Sequence, residues 1–361
     1  MQWWFDKACN ILVADTSANP LSYPILEHIA SSSALLHALQ SISSGHRQYF
    51  DRSCFPKCLQ QRSMALSQVR RELQETNASP VASFFSIMML GMSAPWIDGS
   101  FRDTGIEHFI GARAVLDTIL SKRSNWKDHA VQVIMGFYLF WDMAISLVAE
   151  PALLPRLNTP EIIDMVAEMD GYSHPIGGFP IRVFYLLARI HRYYREIMEG
   201  LARDLAFEFD MEDQLSGWQC SSENEHFELL ANAFRTQGLM VLYRAKSLLV
   251  LPGFDDENLE AKISDYAHRT VVQLLQTPVT QHCFNMQAPP LTLTAAELTA
   301  EHAKERVDVV GRLRAIYSLS RVATILAAIE LLEELWAMRD AGVKITYFEL
   351  MEWKGWKLNL V

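Results

Sequence analysis

The chain has 361 residues, of which 50% are hydrophobic and 20% are charged, a composition typical of a globular protein and not of a disordered one. Its formal net charge of -10 predicts an acidic surface that repels phosphate backbones, which argues against nucleic-acid binding by this chain. The 5 cysteines are irregularly spaced, as in a reducing compartment, and charged residues interrupt the apolar runs before they reach the about 20 residues of a membrane span. We therefore expect an intracellular chain that neither crosses a membrane nor depends on disulfides.

Helical spacing of apolar residues starts near the N-terminus and continues through most of the chain. Leu35, Leu39 and Ile42 recur at intervals of three and four residues, which places them on one face of a helix. The same spacing returns between Leu59 and Leu73. No segment shows the strict alternation of a half-buried strand, so we expect few strands or none.

Capping signals mark four further helix starts. They are Ser79 before Pro80, Thr159 before Pro160, Ser222 with Glu225, and Thr294 with Glu297. The connections between the predicted helices are short, and no long polar linker divides the chain. The sequence therefore predicts one all-α domain over residues 1–361, an irregular bundle of about a dozen helices.

Each candidate metal-binding motif in the sequence lacks some of the ligands that its chemistry requires. Cys54 and Cys58 lie one helical turn apart with His46 upstream, but the further ligands that zinc requires are missing nearby. Glu223 and His226 have the spacing of one half of a di-iron motif, without its second half. The acidic run at 255–257 follows a Pro-Gly pair and is typical of a helix N-terminus. We therefore predict no metal, no cofactor and no assigned catalytic residue.

A single carboxylate, Asp142, interrupts the apolar segment FYLFWDMAISLV at residues 137–148, which must be buried. A buried carboxylate is destabilising unless it is paired or hydrogen-bonded. In one interpretation Asp142 accepts hydrogen bonds from an arginine or from helix-end amides and fixes the helix packing. In the other it points into a cavity, flanked by Phe137 and Trp141, and binds a polar group of a ligand.

The segment YLLARIHRYYRE at residues 185–196 places polar groups beside aromatic ones. The glycine pair at 177–178 predicts a turn before this helix, which we expect to begin at Pro180. His191 is either a half-buried histidine whose hydrogen bonds are satisfied within the fold, or part of a ligand pocket with Arg189 and Tyr194. The candidate pocket residues are Phe137, Trp141, Asp142, Arg189, His191 and Tyr194.

Several segments, in this order, resemble those of the fungal-specific transcription factor domain, the regulatory region found C-terminal to the binuclear zinc cluster of fungal activators. They are SALLHALQSISSGHRQY (33–49), IEHFIGARAVLDTI (106–119), FYLFWDMAISLVAEPALLP (137–155), HPIGGFPIRVFYLLARIHRYYRE (174–196), LLEELWAMRDAG (331–342) and ELMEWKGWKLNLV (349–361). The chain departs from the family pattern at PLTLTAAEL (290–298), and the six-cysteine zinc cluster is not among its residues.

The resemblance implies a regulatory domain that controls transcription and acts in the nucleus, with the cytoplasm as the alternative location. It implies that the domain binds a small apolar metabolite, or a protein partner that includes a second copy of itself, and that it makes no direct contact with nucleic acid. The alternative is an enzyme of fungal secondary metabolism built on the same helical body. In that case acid–base chemistry would fall to Asp142, His191 or Tyr194.

Overall fold

The computed structural model describes residues 1–94, 97, 101–220, 222–249 and 259–360. In these ranges the regular structure consists of sixteen α-helices, one short hairpin and several 3₁₀ turns. The first eight helices are α1 (Gln2–Asp6), α2 (Leu26–Ile29), α3 (Ser33–Arg47), α4 (Cys54–Glu72), α5 (Pro80–Met92), α6 (Ile106–Leu120), α7 (His129–Ile145) and α8 (Pro160–Glu168). The others are α9 (Arg182–Met198), α10 (Leu205–Gly217), α11 (Glu225–Leu248), α12 (Leu259–Leu275), α13 (Ala288–Ala295), α14 (Ala303–Ser320), α15 (Ala323–Asp340) and α16 (Tyr347–Trp353).

The prediction of an all-α multi-helix fold is confirmed. The helices outnumber the predicted dozen because some are very short. α1 spans 5 residues and α2 spans 4, which is too few to leave a helical period in the sequence.

A capping side chain and a proline explain where two of the predicted helices begin. The Ser79 hydroxyl accepts a hydrogen bond from the amide of Ala82 at 3.3 Å and caps α5, as predicted. α8 starts at Pro160 as expected, but Thr159 makes no capping hydrogen bond there. The proline is enough to begin the helix, because its fixed φ suits the first helical position.

The two predicted capping boxes are wrong. At α11 the cap is Asn224, whose side chain accepts from the amide of His226 at 3.0 Å, and not Ser222. Thr294 lies in the last turn of α13, where its hydroxyl donates to the carbonyl of Pro290 at 2.7 Å. A short hydroxyl can bond to several nearby backbone groups, so residue spacing alone does not decide which one it takes.

A two-stranded antiparallel hairpin precedes α9. It joins β1 (Ser173–His174) to β2 (Phe179–Pro180), and its turn contains Gly178 at a φ of +76°. The turn prediction is therefore confirmed, but the helix begins at Arg182 and not at Pro180. Pro180 pairs with Ser173 in the hairpin, which keeps it extended.

Helix α7 lies at the centre of the fold. Every residue from Val133 to Ile145 is buried, and α5, α6 and α9 pack against it. A helix that is apolar on all sides must be enclosed. Each large side chain so buried contributes about 1.5–3 kcal/mol of stability. One hydrophobic core extends from Trp4 to Leu358 and includes this helix.

Two glycines allow close packing on α7. A Cβ atom at Gly91 of α5 would overlap the ring of Trp141, and a Cβ atom at Gly136 of α7 would overlap the ring of His174. His174 cannot move aside easily. Its Nδ1 accepts from the amide of Ile176 at 3.1 Å, and its Nε2 donates to the carbonyl of Val133 at 3.1 Å.

His46 connects the N-terminal helix to the C-terminal half of the chain. The indole of Trp3 in α1 donates to Nδ1 of His46 in α3 at 3.0 Å. Nε2 therefore carries the proton and donates to the carbonyl of Leu319 in α14, also at 3.0 Å. Three helices that are distant in sequence are held together by this one side chain.

Candidate functional site

Phe137 and Trp141 are packed into the core. Phe137 makes edge contacts with Phe85 and His174, with ring centroids 6.5 and 5.8 Å apart. Trp141 contacts Phe109 at 5.2 Å. Both side chains are fully buried, so in this structure they contribute to packing and do not border any of the cavities described below.

Asp142 is fully buried and forms an ion pair with Arg192 of α9. Nη2 of Arg192 lies 2.7 and 2.8 Å from the two carboxylate oxygens. The hydroxyls of Tyr138 and Ser146, one turn away on each side, donate to Asp142 at 3.1 and 2.8 Å. This geometry matches the first interpretation, in which an arginine holds the carboxylate and the pair fixes the packing of α7 on α9.

Arg189 lies on a different flank of α9. Its guanidinium covers the rings of Tyr185 and Phe207, 5.8 and 5.4 Å from their centroids, and lies 3.8 Å from Asp210 of α10. The structure therefore does not bring Arg189 together with Asp142 in one pocket.

His191 is fully buried and neutral at physiological pH. Its Nδ1 donates to the carbonyl of Met143 at 2.6 Å, which leaves Nε2 as an acceptor 3.4 Å from the Gln237 amide. Burial lowers the pKa of His191 to about 4, although the bond to Met143 partly opposes the shift. The structure thus matches the interpretation of a histidine satisfied within the fold, more deeply buried than expected.

Tyr194 lies one turn further along the same face of α9. Its ring packs against Phe348 of α16 at 4.9 Å. Burial raises the pKa of the Tyr194 hydroxyl, and the nearby carboxylate of Glu297 raises it further. His191 and Tyr194 therefore both face the contact between α9 and the C-terminal helices.

Two small cavities of about 20 Å³ each occupy this contact region. A third, of about 30 Å³, lies elsewhere and is lined mainly by residues of the N-terminal segment, α7, α13, α14 and α15. The first is lined by His191, Gln237 and Tyr347 among apolar side chains, and the second shares Gln237 and Tyr347 with it. Each cavity has room for about one water molecule and none for a metabolite.

A much larger opening, which we call the C-terminal cleft, has a volume of about 860 Å³. That volume falls within the range of small-molecule sites, about 300–1,000 Å³. Its described walls come from the end of α11, the start of α12, the connection between α13 and α14, and the connection between α15 and α16. The apolar part of the lining consists of Leu248, Ile263, Leu298, Ala300, Val343 and Ile345.

An ion-pair network lies along the floor of the C-terminal cleft. Glu297 accepts from Arg244 at 2.8 Å and from Arg339 at 3.0 Å, and Arg244 also binds Glu260. Burial alone raises the pKa of Glu297, but the two guanidinium groups outweigh it and hold that pKa below its usual value. Glu297 is therefore ionised, and it links three helical segments.

The C-terminal cleft is not among the sites predicted from the sequence, although four of its charged residues lie in segments already noted. Arg339 and Asp340 belong to the LLEELWAMRDAG segment, Glu349 begins the ELMEWKGWKLNLV segment, and Glu297 belongs to the stretch that departs from the family pattern. The signal that was missed is the presence of charged residues inside otherwise apolar segments. Their partners, such as Arg244, are too far away in sequence to be paired by inspection.

Among the described residues, no group of three or more His, Cys, Asp or Glu side chains is arranged to hold a metal ion. Cys58 is buried beside Ser41, with its sulfur 3.6 Å from the hydroxyl. The acidic run at 255–257 lies outside the described residues. None of the described helices combines the length and apolar character of a membrane span.

The fold and the C-terminal cleft together define an all-α domain built around one buried central helix. The chain matches the fungal specific transcription factor domain over residues 1–361 and belongs to that family. The resemblance noted from its segments is thereby confirmed, and with it a role of the transcription-regulator type. No curated protein and no solved structure matches the chain.

Proposed function

We propose that this chain is the effector domain of a nuclear transcription regulator, and that its C-terminal cleft binds a small, largely apolar, uncharged metabolite. Family membership supports the regulatory role. The single observation that carries the ligand proposal is a cleft of about 860 Å³ with an apolar wall and a polar floor.

The charge balance of the C-terminal cleft supports an uncharged ligand. Its described lining has four cationic side chains, Arg244, Arg306, Arg339 and Lys344, and four anionic ones, Glu260, Glu297, Asp340 and Glu349. Three of the cations are already paired with carboxylates. A charged ligand that reached the floor would have to compete with these pairs. A neutral ligand can place its apolar part against Ile263 and Val343 and a hydrogen-bonding group near the floor.

The enzyme alternative receives no support from the described groups. The carboxylate of Asp142 already accepts from Arg192, Tyr138 and Ser146, and His191 donates to a backbone carbonyl inside the core. The C-terminal cleft contains neither of these residues among its described lining.

A neutral fluorescent dye, Nile red, tests the binding site. We expect saturable binding with one dye per chain and a blue-shifted emission, because the apolar wall excludes water from the dye. Val343→Arg should weaken binding at least tenfold, since Val343 is exposed at the C-terminal cleft and its replacement fills the opening. Val279→Arg, at an exposed valine elsewhere, is the matched control and should bind like the unmodified chain. Equal affinities in all three proteins would refute this site.

A reporter assay tests the regulatory role. The chain is fused to an unrelated DNA-binding domain in yeast, and reporter output is compared for the unmodified chain, Val343→Arg and Val279→Arg. We expect output to change on adding an organic extract of fungal culture, and only Val343→Arg to lose that response. A fluorescent fusion to the full chain should accumulate in the nucleus. An extract response identical in all three fusions would contradict the proposal.

A further inference from the structure

A small cavity continues the C-terminal cleft towards the core. This cavity, which we call the inner void, has a volume of about 20 Å³. Its polar lining consists of Gln237, Arg244, Glu297 and Tyr347, and the rest of its lining is apolar. Arg244 and Glu297 also line the C-terminal cleft, so their ion pair separates the two spaces. A ligand group that extends past this pair therefore enters a space with room for about one water molecule.

The side-chain carbonyl of Gln237 is an unused acceptor at the inner void. Its orientation follows from His191, whose Nδ1 donates to the carbonyl of Met143 and whose Nε2 is therefore an acceptor. Gln237 must turn its NH₂ group towards that Nε2, 3.4 Å away. The other end of the amide, Oε1, has no hydrogen-bond partner among the described residues, although Gln237 is only 1% exposed. A buried acceptor left unsatisfied in this way destabilises the folded chain.

Two donors at the inner void are also unused. The hydroxyl of Tyr347 and the Nε–H of Arg244 have no hydrogen-bond partner within the part of the chain that the structure describes. Tyr347 is 3% exposed, and burial raises the pKa of its hydroxyl, which therefore keeps its proton. Arg244 uses its two terminal nitrogens to bind Glu260 and Glu297, which leaves Nε over. The inner void thus combines one acceptor with two donors in otherwise apolar surroundings.

An aliphatic hydroxyl group matches this set of partners. A hydroxyl donates one hydrogen bond and accepts two. It can donate to Oε1 of Gln237 while it accepts from Tyr347 and Arg244. An ether or ketone oxygen only accepts, so it would leave the Gln237 oxygen unsatisfied. A carboxylate would also only accept, and it would bring a second negative charge next to Glu297.

We infer that the inner void is a hydroxyl-binding subsite of the C-terminal cleft, and that the ligand is an apolar alcohol whose hydroxyl group binds Gln237, Tyr347 and Arg244. This inference rests on the proposed function, because the apolar part of the same ligand lies in the C-terminal cleft. It makes Gln237 and Tyr347 the residues that select an alcohol over molecules of the same size that only accept hydrogen bonds.

Two isomeric probes test the subsite. 1-Decanol and methyl nonyl ether contain the same atoms, but only the alcohol can donate a hydrogen bond. Each probe is titrated against Nile red bound to the chain, and the ratio of the two displacement constants is measured. We expect the alcohol to bind about tenfold more tightly than the ether, because the ether leaves a buried acceptor unsatisfied.

Two substitutions remove the selecting groups with little change in size. Gln237→Met removes the acceptor and Tyr347→Phe removes the hydroxyl. We expect each to reduce the preference for the alcohol to about twofold or less and to leave the affinity for Nile red unchanged. The hydration of the probes is the same in every titration, so a change in the ratio between proteins reports contacts with the protein.

Thr324→Val is the matched control for these variants. It also removes a buried hydroxyl that has no partner among the described residues, but Thr324 is not among the described lining of the inner void or of the C-terminal cleft. It should keep the preference of the unmodified chain. Circular dichroism confirms that each variant is folded.

The outcomes separate this inference from the proposed function. Nile red that does not bind, or that binds Val343→Arg as tightly as the unmodified chain, would remove the ligand site and the subsite with it. Normal Nile red binding with the same alcohol-to-ether ratio in the unmodified chain, Gln237→Met and Tyr347→Phe would leave the C-terminal cleft as a ligand site. It would overturn the subsite, and the inner void would then be a site for water only.

Discussion

At the scale of single residues, Asp142 shows how a charge is kept in the centre of this fold. Taking a carboxylate out of water is unfavourable by several kcal/mol unless its oxygens are engaged. Arg192 and two hydroxyls provide those contacts. The pair is therefore costly to break from one side, because removing one partner leaves the other buried with its charge uncompensated.

Replacing this carboxylate should destabilise the protein. We expect Asp142→Asn to lower the free energy of unfolding by about 3 kcal/mol, since Arg192 would be left largely buried without an anion. Urea denaturation measures the change. Asp308→Asn, which breaks an exposed pair with Lys304 within one helix, is the control and should change stability by about 0.5 kcal/mol or less. Similar losses in the two variants would contradict a structural role for the buried pair.

His191 makes stability depend on pH. Its pKa is about 4 in the folded chain, compared with 6.5 for an ordinary histidine. Between these values the unfolded chain binds a proton that the folded chain does not, so this residue's contribution falls as pH decreases through that window and is fully present above it.

The expected effect of His191 can be isolated with one substitution. From pH 8 to pH 5 the unmodified chain should lose about 2 kcal/mol more stability than His191→Gln, because glutamine does not titrate. Urea denaturation at the two pH values gives the difference. Equal losses of stability in the two proteins over this range would contradict a buried, neutral His191.

At the scale of helices, α5 and the hairpin before α9 pack closely on α7 because glycine, which has no side chain, occupies two of the contact positions. Gly91 and Gly136 each lie where a Cβ atom would overlap a fully buried ring. One ring, Trp141, belongs to α7 itself, and the other, His174, belongs to the hairpin before α9. The positions of α5 and of the hairpin relative to α7 therefore depend on these two glycines.

A matched pair of glycine substitutions tests this packing. Gly91→Ala should lower stability by about 1–3 kcal/mol, because the added methyl group forces Trp141 or α5 to shift. Gly311→Ala places the same methyl group in the middle of α14, where nothing lies within 4 Å, and should raise stability by about 0.5–1 kcal/mol. Thermal unfolding of both variants gives the comparison. A stabilised Gly91→Ala would show that the contact is loose.

At the scale of the whole molecule, features that depend on near neighbours in sequence could be predicted. The all-α class follows from apolar spacing, the cap at Ser79 from the residue before a proline, and the turn at Gly178 from a glycine pair. The Tyr138–Asp142–Ser146 contacts join residues one turn apart and could also have been predicted.

The candidate site depends on distant pairs and was largely missed. Arg192 lies 50 residues from Asp142, and Arg244 lies 53 residues from Glu297. Helical spacing shows that each charge lies within a mainly apolar segment, but it does not indicate which charges meet. The six residues expected to line one pocket are instead divided between the core around α7, the flank facing α10 and the contact with α16. Their role in ligand binding remains a prediction.

The hydrogen bonds of His46 have a consequence for how the chain folds during synthesis. Its partner at residue 319 is made 273 residues later, about 15 to 55 seconds at ordinary ribosomal rates. Until then the Nε2 proton of His46 lacks its acceptor, although the bond from Trp3 to Nδ1 can already form. The attachment of α3 to α14 through this side chain is therefore completed only late in synthesis.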